Sequence, residues 1–141
     1  MKRTITAIAL LAMTMAGTAQ MHAQTTATQQ AAAQKQAKIV FDKTTHDFGS
    51  FEETKLQTYV FTFKNEGNAP LVINQAVASC GCTVPTYTKS PVAPGQSGQL
   101  KVTYNGKGKF GGKFKKSITV RTNGTPEVVR LYIEGDMTEK N

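Results

Sequence analysis

Short apolar segments alternate with turn residues from Lys38 onward, and this pattern constrains the fold more than any other feature. Residues 57–64 show it most clearly, because Tyr59, Phe61 and Phe63 fall on one face and the residues between them fall on the other. A period of two is typical of a β-strand with one buried face. No segment of this region has the 3.6-residue period of a long amphipathic helix. The region is therefore predicted to be all-β.

Turn signals divide the region into about seven short strands. Tight turns are predicted at Asn65-Glu66-Gly67-Asn68 and at Asn123-Gly124. Pro85, Pro91 and Pro94 predict a longer irregular connection, since proline cannot donate a hydrogen bond to a central strand. About seven strands in roughly 100 residues fit a single immunoglobulin-like antiparallel β-sandwich.

Two segments of different composition precede the sandwich domain, which we place at residues 38–137. Residues 1–23 have the charged start, short apolar run and small residues of a secretory signal peptide, with cleavage expected after Ala19 or Ala23. The apolar run is too short for a transmembrane segment. Residues 24–37 are rich in Gln, Ala and Thr and predict a disordered low-complexity linker. We therefore expect the domain to be exported to the periplasm or the extracellular space.

Cys80 and Cys82, the two cysteines of the chain, flank one glycine in the stretch Ser79-Cys80-Gly81-Cys82-Thr83. In a regular strand, Cα atoms two residues apart lie about 6.6 Å from each other, near the upper limit of about 6.8 Å for a disulfide. A bridge is possible because Gly81 lets the chain tighten, although some strain is expected. The closed loop of about three residues would stabilise the fold by only about 1.6 kcal/mol, against about 3 kcal/mol for a 15-residue loop.

Four states of this cysteine pair stay open on the sequence alone. The pair could form a local disulfide that fixes the turn, a redox-active or partner-linking dithiol, a site for a soft metal such as Cu(I) or Zn(II), or two free buried thiols. A closed zinc site needs four ligands, and His46 is the best additional ligand in the predicted domain. Since nothing in the spacing brings His46 to the cysteines, we expect no metal site and no cofactor.

The order of several short motifs resembles the domain of unknown function 1573 family over nearly all of the predicted domain. The motifs are Asp47-Phe48-Gly49, Phe61-x-Phe63-x-Asn65-x-Gly67, Pro70-Leu71, Ser79-Cys80-Gly81-Cys82-Thr83, Pro94-Gly95, Gly98-x-Leu100-x-Val102, Gly112-x-Phe114-x-Lys116-x-Ile118-x-Val120 and Asn123. The resemblance implies an immunoglobulin-like sandwich of the PapD-like and Hydin-like kind in exported bacterial proteins. It implies no established activity. The cysteine pair belongs to the family pattern, without an assigned role.

The chain is basic, with a formal net charge of +8 that falls to +6 without Lys2 and Arg3. No acidic residue lies between Glu66 and Glu127. Basic residues of this interval form a predicted patch on a glycine-rich loop and the outward face of the next strand: Lys107, Lys109, Lys113, Lys115 and Arg121. Such a patch attracts anionic partners, although lysines also protect strand edges from unwanted pairing. Because export argues against nucleic acid, the expected partner is an envelope protein or an anionic envelope surface.

The sequence offers little support for catalysis. Nucleophilic catalysis needs a base beside the nucleophile, and no spacing joins His46 or Asp47 to the cysteines. The absence of Trp disfavours a polysaccharide-binding module. We predict a non-enzymatic interaction module of the cell envelope that binds a protein or another envelope partner through its loops or a strand edge. The alternative is a thiol-redox or soft-metal-handling protein that uses Cys80 and Cys82.

Overall fold

The computed structural model describes residues 34–140, a part of the chain that contains eight β-strands and no helix. The strands are β1 (Ile39–Phe41), β2 (Thr45–Glu52), β3 (Gln57–Asn65), β4 (Ile73–Ala78), β5 (Thr83–Tyr87), β6 (Ser97–Tyr104), β7 (Gly112–Thr122) and β8 (Val128–Thr138). The prediction of an all-β immunoglobulin-like sandwich is confirmed. The predicted signal peptide and most of the predicted linker lie outside the described residues. Among residues 34–140, no segment is a helix that could cross a membrane.

The strands form two four-stranded sheets, with the orders β1-β3-β6-β5 and β2-β8-β7-β4. All neighbouring strands are antiparallel except β2 and β8, which are parallel. The parallel pair arises because the chain changes sheets between β1 and β2 without reversing. Phe41 pairs with Phe63 and His46 stacks on Tyr59, so both strands run against β3 in the same direction. The predicted sandwich was wholly antiparallel, and β2 is the exception.

The core lies between the inner faces of the two sheets. On the first sheet, alternate residues of β3 and β6 are buried, as the sequence pattern predicted. These residues are Phe61, Phe63, Leu100, Val102 and Tyr104. The second sheet contributes the buried residues Ile118, Val120, Leu131, Ile133 and Met137. At one end, the rings of Tyr104 and Phe114 stack with their centroids 4.3 Å apart.

The predicted irregular connection after the cysteines contains β5, which sequence reasoning missed. β5 lies at the edge of its sheet and pairs only with β6. Asn105 donates its backbone N–H to the carbonyl of Cys82, and Thr88 donates to the carbonyl of Gln99. Because antiparallel pairs alternate, these bonds direct the backbone groups of Pro85 away from β6. The missing N–H of Pro85 therefore costs β5 no bond to β6.

The folded unit begins before the predicted boundary at residue 38. Ala37 is buried in the core cluster, and Thr125 donates its N–H to the carbonyl of Ala37 at 2.9 Å. Gln36 donates its backbone N–H to Oδ1 of Asn68 at 2.7 Å. The last residues of the predicted linker thus belong to the sandwich, because they contact two of its turns.

Candidate functional site

Cys80 and Cys82 lie at the corner where the chain passes from β4, an edge of one sheet, to β5, an edge of the other. Their Cα atoms are 5.3 Å apart and their sulfur atoms are joined at disulfide distance. This separation is shorter than that of a regular strand because the residues lie in a turn, closed by a bond from the Thr83 N–H to the Cys80 carbonyl. Of the four states left open by the sequence, the structure contains the local disulfide.

Backbone hydrogen bonds hold this cysteine turn to both sheets. On the side of β7, Ser79 donates its N–H to the carbonyl of Ser117 at 2.8 Å, and the Ser117 N–H donates to Oγ of Ser79 at 3.2 Å. On the side of β6, the Asn105 N–H donates to the Cys82 carbonyl at 2.8 Å. The position of the turn is therefore fixed by bonds that do not involve sulfur.

Thr83 follows the second cysteine, and its side chain is almost completely buried, with 3% of the residue exposed. Its Oγ1 lies 3.8 Å from Sγ of Cys80 and 3.8 Å from Sγ of Cys82. Because a disulfide carries no hydrogen, the hydroxyl must be the donor in these contacts. Sequence reasoning missed this residue, since a threonine at the start of a strand gives no signal of its own.

His46 lies on the opposite side of the sandwich from the cysteines. It belongs to β2, and β8 and β7 separate this strand from β4, a distance of roughly 14 Å for three strand spacings. Its ring stacks on Tyr59, with centroids 3.6 Å apart and planes at 10°. Burial, helped by the neighbouring Lys43, lowers the pKa of His46 against the opposing effect of Asp47. The structure therefore does not bring His46 to the cysteine pair.

Metal binding at the cysteines finds no additional ligand in the part of the chain that the structure describes. No group of three or more His, Cys, Asp or Glu side chains comes together there. Both sulfur atoms are also engaged in the bridge. A soft metal would need both a reduced pair and further ligands, so the soft-metal alternative receives no support from this geometry.

The basic residues that the sequence grouped into one patch are distributed over three places. Lys107 and Lys109 lie exposed in the loop between β6 and β7, whereas Arg121 lies near the other end of β7, about 26 Å from Lys113 along the strand. Lys115 is exposed on the outer face of β7. Because β7 is 11 residues long, it places Lys113 and Arg121 near its opposite ends.

Acidic residues of β8 accompany the two lysines at the centre of this set. Nζ of Lys115 lies 3.1 Å from Oε2 of Glu134, and Lys113 pairs with Asp136 in the β7–β8 register. Asp47 contributes a third carboxylate to the shallow groove of about 570 Å³ on this face. The sequence did not reveal that lysines and carboxylates share this face. Residues 67–126 contain no acidic residue, and the carboxylates come from other parts of the chain.

Phe110 is the most exposed large apolar residue in the described part of the chain, with 96% of its surface accessible. It lies in the same loop as Lys107 and Lys109. In the sequence, a single aromatic residue between a lysine and a glycine gives no signal of this exposure.

The sequence model of a family described as "Protein of unknown function (DUF1573)" matches residues 39–137. This match covers more than half of the chain and almost the whole sandwich. The chain belongs to the DUF1573 family. Its cysteine turn therefore lies within the DUF1573 domain, in agreement with the motif resemblance. Among curated proteins, none matches the chain in sequence.

Solved structures similar to this DUF1573 domain include PapD-like sandwiches. A protein of unknown function from Porphyromonas gingivalis W83 has a TM-score of 0.64 at 15% identity, with 72% of this chain and 48% of that chain covered. The PapD-like domain 7 of human CEP192 has a TM-score of 0.62 at 10% identity, covering 76% of this chain and 89% of that domain. The periplasmic chaperone SfaE has a TM-score of 0.52 at 9% identity, with 74% of this chain and 59% of the chaperone chain covered. These similarities show the fold, and the chain spans about half the length of the P. gingivalis protein.

Proposed function

We propose that the chain is a non-enzymatic interaction module of the cell envelope that binds an envelope protein by adding an extended segment of that protein to the free edge of β4. Export follows from the signal peptide predicted at residues 1–23. The placement of His46 away from the cysteines argues against a cysteine–histidine catalytic pair, because such a nucleophile would need its base within hydrogen-bond reach. The observation that carries the proposal is the difference between β4 and the other edge strands.

Three of the four edge strands are very short or are interrupted near their middle, and both features oppose pairing with another chain. β1 has only three residues. β2 is interrupted by an irregularity between Asp47 and Ser50, where Gly49 has a φ of 67°. β5 contains Pro85, which offers no N–H on the outward side. Short strands, bulges and prolines are the ways in which natural sheets protect their edges.

β4 has only one such feature, an irregularity at its start between Ile73 and Gln75. Ile73–Ala78 contains no charged residue and no proline, and its pairing with β7 is regular from Gln75 to Ala78. The bond from Ser79 to Ser117 sets the alternation, so that the N–H and C=O groups of Ala76 and Ala78 point away from β7. Within residues 34–140, no hydrogen-bond partner is found for these outward N–H groups. An extended segment of another protein could pair with this edge as a fifth strand of the sheet.

The side chains of β4 indicate what kind of segment fits. Ala76 and Ala78 are small, and the side chain of Val77, on the outer face, leaves 48% of the residue exposed. A segment with uncharged, apolar residues at alternate positions would cover Val77 while its backbone pairs with the two alanines. We therefore propose a protein partner in place of the anionic surface that the basic residues suggested, since two of those lysines have acidic neighbours.

The test compares two identical substitutions on neighbouring edges. Val77→Lys puts a charge beside the free edge of β4, whereas Val84→Lys does the same on β5, where Val84 is 57% exposed. The purified exported protein and both variants are immobilised and incubated with solubilised envelope extract, and captured proteins are quantified. We expect a specific protein captured by the wild type to be retained by Val84→Lys and lost, by tenfold or more, with Val77→Lys.

Hydrogen exchange on the captured complex gives the second readout. Partner binding should slow amide exchange at Ala76 and Ala78, because strand addition gives their N–H groups acceptors. Capture that is equally sensitive to both lysine substitutions, or a complex that leaves these two amides unprotected, would contradict the β4 proposal. Failure to capture any protein specifically would contradict the interaction module itself.

A further inference from the structure

The Thr83 hydroxyl is directed at two sulfur atoms that are poor hydrogen-bond acceptors. It is buried, lies 3.8 Å from both sulfurs, and makes no other hydrogen bond among the described residues. A disulfide sulfur is only a weak acceptor, whereas a thiolate is a charged and much stronger one. The same hydroxyl would therefore stabilise the reduced, ionised state of either cysteine better than it stabilises the bridge.

The surroundings also suit a bridge that opens and closes. The backbone bonds of Ser79, Cys82 and Thr83 hold the turn without help from sulfur, so reduction would leave the two cysteines close together for re-oxidation. Cys80 and Cys82 are half-buried, while Gly81 between them is exposed and has no side chain to block an incoming group. The bridge closes a loop too small to contribute much stability, as its sequence separation of two shows.

A basic residue lies beside the turn in the register of the second sheet. Ala78 pairs with Ile118, and the bonds between Ser79 and Ser117 extend this register by one residue. Lys116 is next to Ser117 in β7, so this strand brings a lysine one residue from the position that holds the turn. A neighbouring cation favours the thiolate over the thiol, in the same direction as a hydroxyl donor.

We propose that Cys80 and Cys82 form a thiol–disulfide exchange site that accepts electrons from a dithiol of an exported protein, with Thr83 as the positioning residue that stabilises the leaving thiolate. A thiolate of the partner attacks one sulfur, the Cys80–Cys82 bond breaks, and the second cysteine leaves as a thiolate. The other partner thiolate then attacks the mixed disulfide and releases the first cysteine. The partner dithiol is oxidised by two electrons to a disulfide, the Cys80–Cys82 pair is reduced by two, and the partner's two protons pass to solvent or to the released cysteines. This exchange site is independent of strand addition at β4.

The experiment measures exchange with dithiothreitol as the dithiol probe on the full chain. Thr83→Val removes the hydroxyl and keeps the branched shape, while Thr86→Val makes the same change at an exposed position of the same strand. We expect Thr83→Val to slow reduction by dithiothreitol about tenfold and to raise the lowest thiol pKa, read from the pH dependence of iodoacetamide alkylation, by about one unit. Thr86→Val should match the wild type in both, and the wild-type pKa should lie below the ordinary value of about 8.5.

Thr83→Ser separates the hydroxyl from the packing of the threonine methyl. It should exchange at close to the wild-type rate, even if Thr83→Val proves too unstable to measure. Three results would overturn the proposal. The lowest thiol pKa of the wild type could lie at or above about 8.5, or Thr83→Val and Thr86→Val could have equal effects. The third such result is a Thr83→Ser variant that exchanges no faster than Thr83→Val.

Discussion

At the scale of single residues, Asn65 shows how one buried polar side chain connects several segments. Its Nδ2 donates to the carbonyls of Ala69 and Val92, at 2.7 and 2.9 Å, and its Oδ1 accepts the N–H groups of Gly67 and Lys38. The residue is completely buried, yet all of its hydrogen-bonding groups are used. Asn65 thus joins the start of β1, the turn after β3 and the loop before β6.

Replacing Asn65 with alanine should cost about 3 kcal/mol of unfolding free energy. The substitution leaves the Ala69 carbonyl and two N–H groups without a partner in a place that water reaches poorly, while the Val92 carbonyl keeps its bond from the Leu71 N–H. Asn105→Ala is the matched control, since Asn105 is exposed and accepts one bond, from the Lys107 N–H at 3.0 Å, and should change stability by less than about 1 kcal/mol. Chemical denaturation of both variants checks this, and a similar small loss in both would contradict the role given to Asn65.

His46 should make the stability of the domain depend on pH in the weakly acidic range. Its pKa is lowered in the folded state, so the unfolded chain binds a proton more readily and stability falls as the pH drops below about 6.5 through the folded pKa. His46→Phe keeps a ring on Tyr59 but cannot be protonated. Denaturation at pH 7.5, 6.5 and 5.5 should show a decline in the wild type that is smaller in the variant, whereas an unchanged decline would assign it to other groups.

At the scale of secondary-structure elements, β5 illustrates what a single sequence leaves undecided. Pro85 excluded a central strand, and that inference holds, because β5 is an edge strand. The proline did not exclude an edge strand. An edge strand tolerates proline at positions whose backbone groups point away from the neighbouring strand, and which positions these are depends on the register with β6. The same limit applies to β4, whose sequence resembles any short apolar strand until the sheet order shows that one side is free.

Removing the proline should expose the edge of β5 to association. Pro85→Val adds an outward N–H and keeps an apolar side chain, so the strand can pair with a second copy of itself. We expect concentration-dependent self-association of the variant in analytical ultracentrifugation, under conditions where Pro91→Ala, a change in an exposed loop, behaves as the wild type does. Equal sedimentation of all three proteins would mean that Pro85 does not protect this edge.

At the scale of the whole molecule, the period-two pattern was sufficient to predict the sandwich and the inner faces of its central strands. Phe61 and Phe63 are buried and Tyr59 is half-buried on the expected face of β3, because local apolar periodicity decides which face turns inward. The candidate site was less predictable. The two cysteines were evident from the sequence, whereas the contact of Thr83 with both sulfurs depends on a turn between two sheets. The acidic neighbours of Lys113 and Lys115 likewise come from β8.

The segment before β1 closes one end of the sandwich. The backbone of residues 36–38 passes over Gly67, in the turn after β3, and Ala37 also lies against Gly124 in the β7–β8 turn. A methyl group on Gly67 would overlap the carbonyl oxygen of Gln36 and the amide nitrogen of Lys38. One short segment thus contacts turns that belong to different sheets, and only a residue without a side chain leaves room for it.

Gly67→Ala should therefore destabilise the domain by about 2 kcal/mol, because backbone atoms on both sides of the new methyl would have to move. Gly81→Ala is the matched control, since nothing lies within 4 Å of a Cβ at that position, and its stability should stay within about 0.5 kcal/mol of the wild type. Denaturant unfolding measures both. Hydrogen exchange adds a specific readout, as the bonds that the Thr125 and Asn68 N–H groups donate to Ala37 and Gln36 should open more often in Gly67→Ala alone. If Gly67→Ala instead unfolds like Gly81→Ala with these two amides still protected, the close contact at Gly67 does not contribute to closing this end of the sandwich.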